Sequence, residues 1–228
     1  NGSGKTTTIR ALLGLLRPDH GTIRLFGSFM PGGFHRIADR IGVVPGEIHL
    51  YEELTGLQLL DYFQGFIDKK PVLRQELTDA FSLTGDDLNL RIRHYSQGMK
   101  QKLLLIQALQ HDPGLLILDE PSERLDPLHQ QVLYDFLLSF RDRGRTVFFS
   151  SHNLAEVEKI CDHVGIIKDG KLMVQQSVAT LKREIPRTIE IWFNSPFDKE
   201  DFEKEGIHLL EVRPDYLKLE LSGDIQII

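Results

Sequence analysis

The chain has 228 residues, with 27 basic and 33 acidic side chains, for a net charge of −6 and a pI near 5.9. That length suits one or two globular domains with a buried core, and the acid excess argues against a nucleic-acid binder or a polybasic membrane anchor. Cys161 is the only cysteine, which excludes a disulfide framework or a multi-cysteine zinc site and suits a reducing, cytoplasmic setting. No apolar run reaches the roughly 18 residues a spanning helix needs, and no signal peptide is visible. Ten acidic and four basic residues fall within 188–228. Residues 1–187 are therefore neutral and the tail carries the whole charge. Pro186, at the changeover, marks an expected boundary between domains 1–186 and 187–228.

In chain order, Gly4–Leu16 reads as a helix with Ile9, Leu12, Leu13 and Leu16 on one face. Arg17-Pro18-Asp19 breaks it, Thr22–Phe26 reads as a strand, a short helix passes through Arg36–Asp39, and Ile41–Val44 is a strand. Residues 52–110 read as mostly helical. Within them Thr55 and Gln58 have capping-box spacing ahead of Leu57, Leu60, Phe63 and Ile67, and a second helix starts near Ser96. Apolar strands at Leu115–Leu118 and Thr146–Ser150 flank a helix carrying Leu128, Val132, Phe136 and Phe140. Strands without polar alternation suggest burial on both faces, and their alternation with helices predicts a parallel sheet and an α/β fold. Val164–Ile167 and Lys171–Val174 predict a hairpin around Asp169-Gly170. Cys161 reads as core packing beside Leu154, Val157 and Ile160. The tail reads as a βαββ unit: strand Thr188–Phe193, helix Lys199–Glu205, strands Ile207–Val212 and Tyr216–Leu221. In it Trp192 and Phe193 are expected in the core and the run Asp198–Glu205 on a solvated helix face.

Two motifs carry chemistry. Asn1-Gly2-Ser3-Gly4-Lys5-Thr6 matches the last six positions of the phosphate loop G-x-x-x-x-G-K-[ST]. Its glycines let backbone N–H groups turn toward phosphate oxygens at a positive helix end. Lys5 would neutralise the β- and γ-phosphates, and the Thr6 hydroxyl would ligate Mg²⁺. Leu115–Leu118 runs into Asp119 and Glu120, and carboxylates at the C-terminal edge of a parallel strand lie where such sheets bind ligands. Asp119 suits a Mg²⁺ shell and Glu120 the base or positioner of an attacking water. Ser96-Gln97-Gly98 at a helix start could form an anion site or a plain N-cap.

The ordered set NGSGKT at 1–6, YSQGMKQK at 95–102, LLILDEP at 115–121, ERLDP at 123–127 and SSH at 150–152 resembles the ATP-binding subunits of ABC transporters. More narrowly, it is similar to cassettes that drive drug or antibiotic export. The resemblance covers residues 1 to about 183, and the tail resembles a small C-terminal domain that some such subunits carry. It implies a P-loop NTPase core with a mainly parallel sheet, a helical subdomain at about 52–110, and a small α+β domain at 187–228. It also implies that the chain is cut inside its phosphate loop, with the first strands missing and the tail incomplete. The nucleotide-binding set would be Asn1, Gly2, Ser3, Gly4, Lys5, Thr6 and Thr7, with Thr6 and Asp119 on the metal. Glu120, His152 and Lys5 would be catalytic. Ser96, Gln97 and Gly98 would face the γ-phosphate held by a second cassette, and Asp126 would bridge the pair.

ATP and Mg²⁺ are the cofactors so implied. The partners are a transmembrane permease and a second cassette, identical or not, at the cytoplasmic face of the membrane, with no nucleic acid. Two departures stand out. Gly46 occupies the place of a glutamine that follows the third strand, and it has no side chain to reach Mg²⁺ or water unless Glu47 substitutes. Arg124 occupies the place of a glycine. These departures leave open a subunit that senses ATP with weak turnover, and a ribosome-associated ATPase without transport is the other alternative. Only 91 positions separate Lys5 from Ser96, too few for the long heptad arms of a DNA-repair ATPase of this type.

Overall fold

The computed structural model describes residues 2–184, 187–204 and 206–221. Asn1, Pro186, Glu205 and the residues from Ser222 onward, on which several expectations fall, lie outside the described residues. By contacts the chain forms two compact units. One takes the described residues up to Ile160 with Ile167–Lys171, and the other takes Cys161–Ile166 and the described residues from Leu172 onward.

The first unit opens with α1, Lys5–Leu12. Gly14 adopts φ 72°, and the N–H groups of Gly14 and Leu15 bond back to Ala11 and Arg10, so a Schellman turn ends the helix early. Leu16, expected on the buried face, is consequently exposed. The strand expected at Thr22–Phe26 is cut to β1, Arg24–Leu25, which pairs antiparallel with β2, Ser28–Phe29. Positive φ at Phe26 and Gly27 makes the tight turn between them. Two 3₁₀ turns, Phe34–Arg36 and Ala38–Arg40, stand in place of the expected short helix.

A parallel sheet follows, interrupted by a helical segment as the sequence predicts. Its elements are β3 (Ile41–Val44), α2 (Gly56–Gln64), α3 (Arg74–Ala80), α4 (Gly85–Asn89), α5 (Gln97–Leu109), β4 (Leu115–Asp119), α6 (Pro127–Asp142), β5 (Thr146–Ser150) and α7 (Leu154–Ile160). Among the described residues the strand order is β3-β4-β5, all parallel. β4 is buried along its whole length. Leu116 and Leu118 join the core built with α2, α3, α5 and α6, while Leu115 and Ile117 pack with Ile9, Ile37 and Ile41 on the opposite face. β5 is an outer strand among the described residues, and Phe148 on it is exposed. Burial on both faces therefore holds for β4 and fails for β5.

The capping box at Thr55 and Gln58 is made in both directions. α2 buries Leu59 and Leu60 rather than Leu57, because that is the side it packs on α5. α6 likewise buries Leu133, Tyr134, Leu137 and Phe140, leaving Leu128 in its first turn exposed. Gly42 admits no side chain, since a Cβ there would lie 2.1 Å from the Ala108 carbonyl oxygen. β3 thus rests directly on the α5 backbone.

β6 (His163–Lys168) and β7 (Lys171–Ser177) form the predicted hairpin. Asp169 and Gly170 both take positive φ there, as a type I′ turn requires. After α8, Val178–Glu184, come β8 (Arg187–Trp192), a 3₁₀ turn at Lys199–Phe202, β9 (Ile207–Arg213) and β10 (Tyr216–Leu221). They form an antiparallel sheet of order β8-β10-β9 over a core of Leu217, Leu219, Phe193, Phe197 and Phe202. Trp192 is not in that core. Period-two alternation turns Ile189 and Ile191 inward and leaves Trp192 68% exposed against Tyr216. Cys161 is half-buried, and burial pushes its thiol up to about 11. No helix among the described residues is long and apolar enough to cross a membrane.

Candidate functional site

The site begins where the glycine-rich loop enters α1. Gly2 and Gly4 take φ of 90° and 108°, a region that disfavours other residues. Gly4 N-caps α1 with no side-chain cap, and the first turn contains no acidic residue. The first N–H groups of the helix therefore face the cleft at its positive end, without a side-chain acceptor. The loop is pinned from behind by the Gly170 N–H, which donates to the Ser3 carbonyl at 2.9 Å. Lys5 is half-buried, while Thr6 and Thr7 are exposed. Asn1 lies outside the described residues.

The second component is the end of β4. Asp119 is 2% exposed. Parallel register places it opposite Ser150, whose hydroxyl donates to Asp119 Oδ1 and accepts from the Glu120 N–H at 3.1 Å. Glu120 then takes φ 51°, a left-handed conformation costing about 1–2 kcal/mol for a residue with a Cβ. There the Glu120 carboxylate lies 3.4 Å from Lys5 Nζ through Oε1 and 2.5 Å from His152 Nδ1 through Oε2. The structure thus brings together Lys5, Glu120 and His152, which are far apart in sequence. Lys5 and Glu120 border a cleft of about 630 Å³ whose lining also includes Thr6, Gly46, Asp119 and Arg124, and His152 adjoins it through Glu120.

Ser96, Gln97 and Gly98 are not at this cleft. Ser96 N-caps α5, its hydroxyl accepting from the Met99 N–H at 3.2 Å, and both Ser96 and Gln97 are exposed. Asp126 N-caps α6 and accepts from the His129 N–H at 3.1 Å, while His129 Nδ1 lies 2.6 Å from its other oxygen. These bonds, the backbone one foremost, hold the Asp126 carboxyl below the usual range. Lys102 Nζ sits 3.0 Å from His129 Nε2, and burial lowers its pKa. Glu47 is largely exposed and lies 3.4 Å from His49.

Sequence reasoning misses the groups that hold the site. Ser150 enters it only as one letter of a motif, and Glu156 does not enter it at all. Glu156 is 7% exposed and accepts from Ser122 at 2.7 Å, Tyr134 at 2.8 Å and Ser151 at 2.7 Å. It therefore ties the segment after Glu120 to the residue preceding His152. Burial, then the bond to Glu156, pushes the Tyr134 phenol up to about 12 and keeps it a donor. A buried acidic residue four positions after His152 is the available signal, but from sequence it looks like any polar helix residue.

The donor set fits a hard divalent cation. Among the described residues there is no group of three His, Cys, Asp or Glu side chains poised to hold a metal. One buried carboxylate at Asp119 and one hydroxyl at Thr6 are what Mg²⁺ uses when its remaining ligands are phosphate oxygens and water.

Comparison with known proteins gives a consistent set of matches. The sequence profile described as ABC transporter matches residues 1–123. An uncharacterized ABC transporter ATP-binding protein of Nostoc sp. is 40% identical over 186 residues, covering 79% of this chain and 55% of its own. The bacitracin transport ATP-binding protein BcrA of Enterococcus faecalis is 35% identical over 187 residues, covering 80% of this chain and 60% of its own. This chain thus spans less than two thirds of either relative. A solved structure described as the ATP-binding subunit of an ABC transporter superposes with a TM-score of 0.74 at 30% identity, covering 80% of this chain and 78% of its own.

Proposed function

The chain belongs to the ABC transporter family as one of its ATP-binding subunits, and from that premise we propose that it binds and hydrolyses ATP to drive export through separate membrane subunits. The observation that carries this reading is the convergence of Lys5, Glu120 and His152 at the end of β4, beside the head of α1. Lys5 and the N–H groups of Gly2 to Thr7 would cradle the β- and γ-phosphates. Glu120 would orient or deprotonate the attacking water, whose oxygen bonds to the γ-phosphorus as the bond to the β-phosphate oxygen breaks. His152 holds the Glu120 carboxylate and would face the γ-phosphate. Thr6 and Asp119 would hold Mg²⁺, which when bound offsets negative charge on the phosphates. Positioning and electrostatics dominate phosphoryl transfer, so these few groups suffice.

Two such cassettes would close head to tail, each presenting Ser96, Gln97 and Gly98 to the nucleotide of the other, with Asp126 at the seam. The exposure of Ser96, Gln97 and Asp126 supports that arrangement. The helical segment and the loop after β3 would pass closure to a permease at the cytoplasmic face of the membrane. The division into a cassette at 1–186 and an acidic α+β domain at 187–228 belongs to the same proposal, as does an exported cargo; BcrA is named for bacitracin transport. In the full-length protein, Glu120→Gln should keep ATP affinity, lower turnover by about 10²-fold or more, and trap an ATP-bound dimer on size-exclusion chromatography. Unaltered turnover would remove Glu120 from this role. Steady-state phosphate release from the wild type separates the proposal from a subunit that only senses ATP.

A further inference from the structure

Gly46 and Arg124, the two positions at which the sequence departs from the resemblance, meet in the structure. Arg124 Nη1 donates to the Gly46 carbonyl at 3.2 Å across 78 positions of sequence. Gly46 itself lies against Asp119: a Cβ there would be 2.9 Å from Oδ2 and 3.2 Å from Cγ. Asp119 is buried and held by Ser150, so it cannot swing aside for a side chain at position 46. On its other side, Arg124 presents its carbonyl oxygen 3.2 Å from where a Cβ of Gly98 would stand. Its side chain thus reaches the loop after β3, and its backbone touches the first turn of α5. The neighbours of Arg124 are fixed, since Leu125 is buried and Ser122 is bonded to Glu156.

We propose that Arg124 is a positioning residue, a strap that fastens the loop after β3 to the segment running from Glu120 to Asp126 and to the start of α5. The inference rests on the ATPase reading above for its kinetic consequence, though not for its geometry. A glutamine at position 46 would have to make such a link from the loop outward, and Asp119 leaves it no room. In this chain the link runs the other way, from a permanently charged guanidinium with several donors to a backbone carbonyl. A displacement of the loop after β3 by a membrane partner then reaches Glu120 through Arg124.

The test uses the full-length protein reconstituted with its membrane partner in liposomes, comparing wild type, Arg124→Ala and Arg124→Lys. Arg124→Ala should lower kcat about tenfold while KM for ATP stays within about twofold. The charge-assisted hydrogen bond removed joins Arg124 to the Gly46 backbone and, although both residues line the cleft, is spent on the loop rather than on the nucleotide. Lysine, which can still donate to the Gly46 carbonyl, should recover most of the activity. Amide exchange at Glu47–Leu50 should quicken about tenfold in Arg124→Ala, with the global unfolding midpoint unmoved. Should alanine destabilise the fold, Arg124→Met carries the same comparison, since it keeps the stem and removes the donor. Unchanged exchange together with unchanged kcat overturns the strap. A rise in KM alone also overturns it, because it would place Arg124 on the substrate. If the wild type neither binds nor hydrolyses ATP, the ATPase reading fails, and the exchange comparison still decides the strap by itself.

Discussion

Glu156 shows how one buried carboxylate can hold two separate loops in place. Its oxygens accept from three hydroxyls, of Ser122, Tyr134 and Ser151, at 2.7–2.8 Å. Ser122 follows Glu120 by two residues, and Ser151 precedes His152 by one, so the carboxylate sets the spacing between the two residues whose side chains touch at 2.5 Å. Removing it would leave the buried hydroxyls of Ser122 and Tyr134 without an acceptor, each costing about 1 kcal/mol or more, while the half-buried Ser151 hydroxyl keeps a contact to the Asn153 carbonyl. Glu156→Ala should therefore destabilise the protein by roughly 2 kcal/mol in urea unfolding. It should also lower ATP turnover more than ATP affinity. Glu156→Gln, which preserves the shape and one acceptor, should lose less than half as much stability. Equal losses in the two variants would mean that packing, not hydrogen bonding, is what Glu156 contributes.

Between elements, β3 approaches α5 closely where Gly42 faces the Ala108 carbonyl with no room for a Cβ. The other ends of these two elements carry Gly46 and Ser96. Gly42→Ala would force strand and helix apart, and such overpacking costs about 1–3 kcal/mol. A change under about 0.5 kcal/mol in the urea midpoint analysis would show that the two backbones yield easily. This approach is invisible in the sequence, where Ile41-Gly42-Val43-Val44 reads only as a short strand with a weak spot. Local rules are otherwise informative. Thr55 and Gln58 announce their capping box, Asp169-Gly170 its turn, and Leu115–Asp119 the buried central strand, because each depends on neighbours a few residues away. What fails depends on distant partners: the Schellman turn at Gly14 exposes Leu16, the packing side of α2 replaces Leu57 with Leu59, and sheet pairing turns Trp192 outward. Lys5, Glu120 and His152 are legible because each belongs to a motif with its own spacing. Glu156 and the bond from Arg124 to Gly46 are not, since no motif contains them.

Over the whole molecule, the −6 charge is unevenly placed, with the excess in 188–228. Between pH 8 and 5.5 the carboxylates stay largely ionised, so acid sensitivity in that window belongs to the nine histidines. His111 is the one in the buried core, 2% exposed just beyond α5. Burial lowers its pKa, and the positive charge of Lys69 lowers it further, against smaller raising contributions from the Ile41 backbone, Asp39 and Asp112. The unfolded chain, with an ordinary imidazole near 6.5, then binds the proton more readily than the folded one. By linkage the stability His111 contributes is complete above about pH 6.5 and is lost as pH falls from there through its folded value. His111→Phe keeps an aromatic ring in the core and removes the titration. Its unfolding midpoint should therefore fall less than the wild type's between pH 8 and pH 5.5 in a thermal scan. Parallel pH profiles for the two proteins would show that acid sensitivity comes from the exposed imidazoles, and that the buried one takes its proton without loosening β3 and α5.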